Sequence, residues 1–287
     1  MQQKNTHWFP GHMQKALREI EERIRVMDIV LELLDARVPL ASRNPLLYRL
    51  TKEKKRLLVL TKADLADSKA TEEWIAYFTS QNMECIAVDL NDKSAPNLIL
   101  KKLEEMGKFK REKEQKKGMK PQPIRTMIVG IPNVGKSTLI NKLAKRNAAS
   151  VQNTPGHTKA QQWIRIGQLD LLDTPGVLPA NYENSLYAEH LAMVGSMKGE
   201  ILPLSSLVDH LLEILKKDAP QGVLERFQME QIWEDTPSFL LFVAQKRGLV
   251  NSKGWDIEKA EQVIWKEFKE GLLGRVSLER VDDDVRL

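Results

Sequence analysis

Short apolar runs alternate with stretches of helical spacing through the first 180 or so residues, and the pattern then changes. Leu17, Ile20 and Ile24 form one stripe, predicting a helix over about 14–25. Residues 28–35, 55–60, 84–88 and 126–129 are continuous apolar runs that read as buried strands. Helical spacing returns at 45–52, 69–80, 95–106 and 138–143. Residues 162–166 and 169–172 predict two further strands with Gly167 at the turn. Such strand–helix alternation predicts a parallel α/β sheet covered on both faces. From about residue 180 only helical spacing remains, at 185–194, 205–217, 221–227, 237–247 and 256–270. The expected organisation is an α/β domain over 1–179 and an all-α domain over 180–287.

In such sheets ligands bind at the carboxyl ends of the strands. Polar residues cluster at those ends: Asp35, Thr61 to Asp64, Asp89 to Asn91, and Asp173. The run Gly130-Ile131-Pro132-Asn133-Val134-Gly135-Lys136-Ser137 reads G-x-x-x-x-G-K-S between a strand and a helix, the setting of a phosphate-binding loop. Glycines let backbone N–H groups converge on phosphate oxygens, and the helix that follows adds free N–H groups. Lys136 is then placed to reach the β and γ phosphates, and Ser137 to ligate Mg²⁺. Val134, Gly135 and Thr138 join them as nucleotide-contacting positions. Asp173-Thr174-Pro175-Gly176 ends a strand, so Asp173 suits the Mg²⁺ shell and the Gly176 N–H the γ-phosphate. Thr158 is a candidate to close over the metal through its hydroxyl, with Thr154 as competitor. In Thr61-Lys62-Ala63-Asp64, the carboxylate can accept from guanine N1–H and N2–H₂ while Lys62 lays its stem across the base. Adenine has no such donor pair.

Composition adds the compartment and a charged segment. The 287 residues carry one cysteine, Cys85, which cannot form an intrachain disulfide and fits a reducing, cytoplasmic setting. No apolar run is long enough for a membrane span. The net charge is +5, and residues 101–123 alone carry nine basic and four acidic side chains. That stretch, with Gly118, Pro121 and Pro123, reads as a basic linker over 107–123, either solvated or facing a phosphate-rich partner. Residues 205–287 carry twelve basic and sixteen acidic side chains, which argues against a broad non-specific grip on RNA. Lys246, Arg247, Arg275 and Arg280 stand out there as either a local contact or ordinary helix-end charges.

Gly130–Ser137, Thr158, Asp173–Gly176 and Thr61–Asp64 resemble the G1, G2, G3 and G4 motifs of GTPases, with Asp89-Leu90-Asn91 as a G5-like segment. Their order here is G4-G5-G1-G2-G3, which resembles the circularly permuted GTPases and implies a three-layer P-loop domain whose old ends meet in the 107–123 segment. Trp8-Phe9-Pro10-Gly11-His12-Met13, Asp35-Ala36-Arg37-Val38-Pro39 and the 273–279 run are similar to the ribosome biogenesis GTPase A family. That resemblance implies hydrolysis of GTP with Mg²⁺ on a late precursor of the large ribosomal subunit, with ribosomal RNA and ribosomal proteins as partners and no membrane. A monomer is expected. Thr61 stands where the G4 motif usually has Asn, a departure bearing on the bond from that side chain back to the phosphate loop.

The position that carries a water-orienting Gln in Ras-like enzymes is Val177, which cannot orient water. His12, in a loop before its helix, is a candidate to fold over the γ-phosphate, or else it caps the helix or packs against Trp8. Asn133 is a candidate K⁺ ligand beside the β and γ phosphates. Slow intrinsic turnover accelerated by ribosomal particles is the expectation. The competing readings are a non-catalytic RNA-binding assembly factor and a permuted GTPase of the small subunit.

Overall fold

The computed structural model describes residues 11–146, 163–179, 185–197 and 202–284. In chain order the first elements are α1 (Gly11–Ile24), β1 (Ile29–Asp35), α2 (Pro45–Thr51), β2 (Lys55–Thr61), α3 (Ser68–Ser80), β3 (Glu84–Ala87), α4 (Ala95–Met106) and α5 (Lys108–Lys116). Next come β4 (Ile124–Val129), α6 (Lys136–Arg146), β5 (Trp163–Ile166) and β6 (Leu169–Asp173). The rest comprises α7 (Ser185–Met193), α8 (Leu204–Asp218), α9 (Pro220–Phe227), α10 (Thr236–Arg247), β7 (Val250–Asn251), β8 (Gly254–Trp255), α11 (Ile257–Lys269) and α12 (Val281–Asp284).

One six-stranded sheet reads β3-β2-β1-β4-β6-β5. It is parallel except for β5, which pairs antiparallel with β6 at the edge. Alternation on β2 explains the layers. Leu57 and Val59 enter a core shared with α4 and α6, whereas Leu58 and Leu60 meet Trp74 and Phe78 of α3 on the other face. Buried Cys85 belongs to that second core. The phosphate strand β4 lies directly beside β1, although β2 and β3 separate them in the chain. Counted from β5, the strands carrying G3, G1 and G4 are then spatial neighbours or next neighbours, as a permuted but spatially intact G domain requires. The register sets Asp35 beside Thr61 and Ile128 beside Asp173, which brings the motif-bearing ends to one edge.

Three expectations change. Residues 107–123 are not simply a linker, because α5 is a docked helix. Lys110 Nζ donates to Asp28 Oδ2 (2.7 Å), and buried Glu114 takes Arg111 at 3.0 Å. Two of the positive charges are thus spent inside the fold. The C-terminal region is not purely helical, since β7 and β8 form a small hairpin turned at Ser252 and Lys253. His12 is not in a loop: α1 already begins at Gly11 and places it in the first helical turn.

The chain's end returns to the α/β region. Val276 N donates to Leu65 O (3.0 Å) and Leu278 N to Arg37 O (2.8 Å), while Val281 packs against the Trp74–Phe78 core.

Candidate active site

β4 runs straight into the glycine loop, and α6 opens at Lys136 with Ser137 and Thr138 exposed in its first turn. Gly135 has φ of 102°, where an L side chain is strained, and a Cβ there would come 2.7 Å from Leu90 Cδ1 of the G5-like segment. At the far side of the loop, a Cβ on Gly176 would come 2.8 Å from Pro132 N and 3.0 Å from Lys136 Nζ. Only glycines let these three segments approach so closely.

Lys136 is buried, and its ammonium donates to Gly130 O (3.0 Å) and Ile131 O (2.6 Å). Burial pulls its pKa down to about 8, against the opposing pull of Asp173. A cation so held gains when phosphate oxygens reach it. Asp173 Oδ1 is a buried oxygen without a hydrogen-bond partner, and burial raises this carboxyl above its ordinary range. An orphaned carboxylate oxygen beside a phosphate loop fits a hard divalent cation. Asp173 and Ser137 would hold Mg²⁺, which supplies charge neutralisation between the β and γ phosphates. Thr158 and Thr154 lie outside the described residues. Of His12 the structure describes the backbone alone.

The Val177 side chain is buried and carries no polar atom to offer a water. Its backbone serves instead: the N–H lies 3.4 Å from Gly130 O, and its carbonyl accepts from Asn44 Nδ2 at 2.7 Å. Asn44 in turn caps α2 through Leu46 N.

At the base end, Thr61 replaces the usual Asn without loss of the tie. Its Oγ1 lies 2.6 Å from Val134 O and 2.9 Å from Leu34 O. Lys62 adopts φ of 57° and donates to Asp35 Oδ2 (2.8 Å). Asp35 is fully buried between Lys62 and Arg37, whose Nε and Nη2 donate at 2.9 and 2.8 Å. Asp64 stands near Asp89, and burial followed by that neighbouring carboxylate raises its pKa. Ala63 donates its N–H to Val88 O (3.3 Å).

Asp64, Asp89, Leu90, Asn133, Lys136 and Ser137 line one cleft of about 860 Å³. No spacing in the chain pointed to its opposite wall, formed by Val194, by Lys266 and Lys269 of α11, and by Glu270 that caps it. Nor did any spacing show that the C-terminal arginines act inside the molecule. Arg275 clasps the base-reading loop, donating to Ala66 O (2.8 Å) and Ala63 O (2.9 Å). Arg280 reaches Asp67 and Arg247 reaches Glu267, while Lys246 sits over Phe242. Asn133 is also engaged, its Nδ2 donating to Gly195 O at 2.8 Å. Apart from Lys246 on Phe242, which is one helical turn away, these contacts join residues distant in the chain, and no local pattern encodes them.

A glycine phosphate loop, a buried Asp173 oxygen without a hydrogen-bond partner and the Thr61–Asp64 loop at the same ends of a parallel sheet mark a P-loop GTPase of circularly permuted order. The profile described as "50S ribosome-binding GTPase" matches residues 125–246, beginning at the phosphate strand. The chain is 40% identical to ribosome biogenesis GTPase A of Bacillus cereus over 278 residues, covering 96% of this chain and 94% of that one. It is 35% identical to the Thermotoga maritima protein of the same name, covering 96% and 95%. A solved structure of GNP-bound YlqF from T. maritima is similar at TM-score 0.67 and 30% identity, covering 94% of this chain and 99% of that one. The protein belongs to the ribosome biogenesis GTPase A family, and its reaction is hydrolysis of GTP.

Proposed function

We propose that this GTPase acts in assembly of the large (50S) ribosomal subunit, binding a late precursor through ribosomal RNA and proteins and leaving after hydrolysis. What carries the reading is the meeting of Asp64, Lys136 and Ser137 in one cleft, with the orphaned Asp173 oxygen outside its lining but close enough to pull on Lys136, in a chain of this family. Asp64 reads guanine, with Thr61, Lys62 and Ala63 shaping its loop and Asp89 and Leu90 beside it. The loop from Asn133 to Thr138 cradles the phosphates, with Lys136 on the β and γ oxygens. Gly176 offers its N–H to the γ-phosphate, and Ser137, Asp173 and Thr158 hold Mg²⁺. Asn133 donates through Nδ2 to Gly195, which leaves Oδ1 for K⁺. With Val177 buried, His12 at the start of α1 is the candidate to orient water when a ribosomal particle is bound. The protein works as a cytoplasmic monomer; no helix among the described residues is long and apolar enough to cross a membrane.

The test is co-sedimentation with large-subunit and small-subunit precursor particles in GTP, GDP and a non-hydrolysable analogue, with turnover measured alongside. Retention on large-subunit particles by the analogue, release with GDP and faster turnover are expected. Equal binding to small-subunit particles, or turnover indifferent to either, would overturn the reading.

A further inference from the structure

The helical region does not merely follow the G domain, for it walls the cleft. Val194 and Gly195 follow α7, Lys266 and Lys269 project from the last turn of α11, and Glu270 caps it. Two contacts fix this wall against the G domain. Phe268 of α11 lies under the guanidinium of Arg37, 5.6 Å from ring centroid to Cζ. Asn133 of the phosphate loop donates to Gly195 O. Lys269 crosses the same glycine, and a Cβ on Gly195 would stand 3.2 Å from Lys269 Cδ. Its ammonium is held over the Trp265 ring at 3.4 Å, and Trp265 is anchored by its own N–H to Met193 O (2.9 Å).

We propose that Lys269 is a nucleotide-binding residue, a cation that the helical region lays against the phosphates from the side opposite the glycine loop. The inference rests on reading the cleft as the GTP site. Three features carry it. Lys266 and Lys269 both line the cleft, but Lys266 is turned toward Glu270 at 3.9 Å. Its stem is packed and its head is braced on an aromatic face, so little rotamer freedom remains to be lost on binding. Among the described residues, no carboxylate lies within ion-pair distance of its ammonium. Partial burial also pulls its pKa below the ordinary value, against the opposing pull of nearby Glu270, and a phosphate would relieve that penalty further.

The cleft's lining identifies the part of the nucleotide it meets. Ser137 and Thr138 line it, but Asp173 and Gly176, on the γ-phosphate side, do not. Lys269 therefore faces the portion common to GDP and GTP, and it strengthens both. The contact also couples the domains. A nucleotide that holds Lys269 favours the seated helical wall, and by reciprocity a partner that draws α11 away weakens the nucleotide's hold.

GDP and GTP dissociation constants of the full chain would be compared for the parent, Lys269→Met, Lys269→Arg, Lys136→Ala and Asp64→Asn across a series of salt concentrations. Methionine keeps the packed stem and removes the charge. Loss of one charge-assisted phosphate contact predicts affinity for both nucleotides weakened about tenfold or more in Lys269→Met. A shallower salt dependence and recovery in Lys269→Arg are expected with it. Parental affinity in Lys269→Met, with Lys136→Ala and Asp64→Asn impaired, overturns the inference alone. So does a loss that arginine does not restore, which would mark a packing role. If Lys136→Ala and Asp64→Asn also bind as the parent does, the cleft is not the nucleotide site and the underlying reading fails.

Discussion

Thr61 Oγ1 lies 2.6 Å from the carbonyl oxygen of Val134, joining the base-reading loop to the phosphate loop across 73 residues of chain. Leu34 O stands 2.9 Å from the same hydroxyl. One hydroxyl proton serves two buried acceptors, and both lose it in Thr61→Val, which keeps the shape. Unfolding in denaturant should show a loss of roughly 1–2 kcal/mol. GDP affinity should fall as the two loops lose their register, with the preference for guanine over xanthine intact. A change of preference would mean that Thr61 reads the base itself.

In the proposed site Asp64 sets that preference, which requires a carboxylate accepting two hydrogen bonds. Its pKa is raised in the free protein by burial and by Asp89, whereas hydrogen bonds from a bound base favour the charged form. Binding therefore releases a proton when the pH lies near the raised value, and GDP affinity drops as the solution is acidified through it. Asp64→Asn replaces an acceptor with a donor suited to the 2-carbonyl of xanthine. It should lose GDP by more than tenfold, gain XDP and bind XDP with no such acid dependence, as titration calorimetry at several pH values would show.

How much of this was legible in the sequence follows the range of the contacts. Gly130–Ser137, Asp173 and Thr61–Asp64 are local signatures at strand ends, and the sheet brings them together as their types require. The helix of α5 was hidden by composition: Lys108–Lys116 has no apolar stripe to show its period, and what docks it is the pairing of Lys110 with Asp28 and the bond from Arg111 to Gln168. The Thr61 departure could not be weighed from the sequence, because a shorter side chain can replace Asn only if the backbone comes close enough. Lys269 and Arg275 act on loops more than 130 residues away, so no spacing rule could assign them.

Asp35 is the buried anion on which Arg37 and Lys62 converge. Burial alone would raise its pKa, but the two cations outweigh it and hold the carboxyl well below the usual range. A depressed folded-state pKa gives stability that is complete above the ordinary value of 3.8 and is lost as the pH falls below it toward the folded value. Asp35→Asn leaves the Arg37 guanidinium buried and uncompensated, with an expected loss of about 3–5 kcal/mol near neutral pH. The gap between parent and variant should narrow in denaturant titrations below pH 4. A constant gap would place the stabilisation in packing instead of charge.

Glu279 closes the molecule from its far end. It is buried and accepts from the N–H groups of Leu40 (2.6 Å) and Ala41 (3.0 Å) in the loop after β1. Its Oε1 lies 3.3 Å from His190 Nδ1 of α7, and its own carbonyl accepts from Trp74 Nε1 of α3 at 3.2 Å. One residue thus ties the loop after β1, α3 and α7 together, and the tie holds only with the tail from 275 to 280 in place. Glu279→Ala strands two buried donors and should cost about 2–4 kcal/mol. Because these ties cross between the α/β region and the helices, the loss should appear in both at once, as a single shifted transition followed by Trp74 fluorescence and by hydrogen exchange in α10 and α11. A variant in which α10 and α11 open early while the sheet keeps its parental protection would show instead that the tail is peripheral to the G domain. The expected result has a functional side. The same tail carries Arg275, whose bonds to Ala63 O and Ala66 O hold the loop bearing Asp64, so GDP affinity should fall in Glu279→Ala while guanine preference survives.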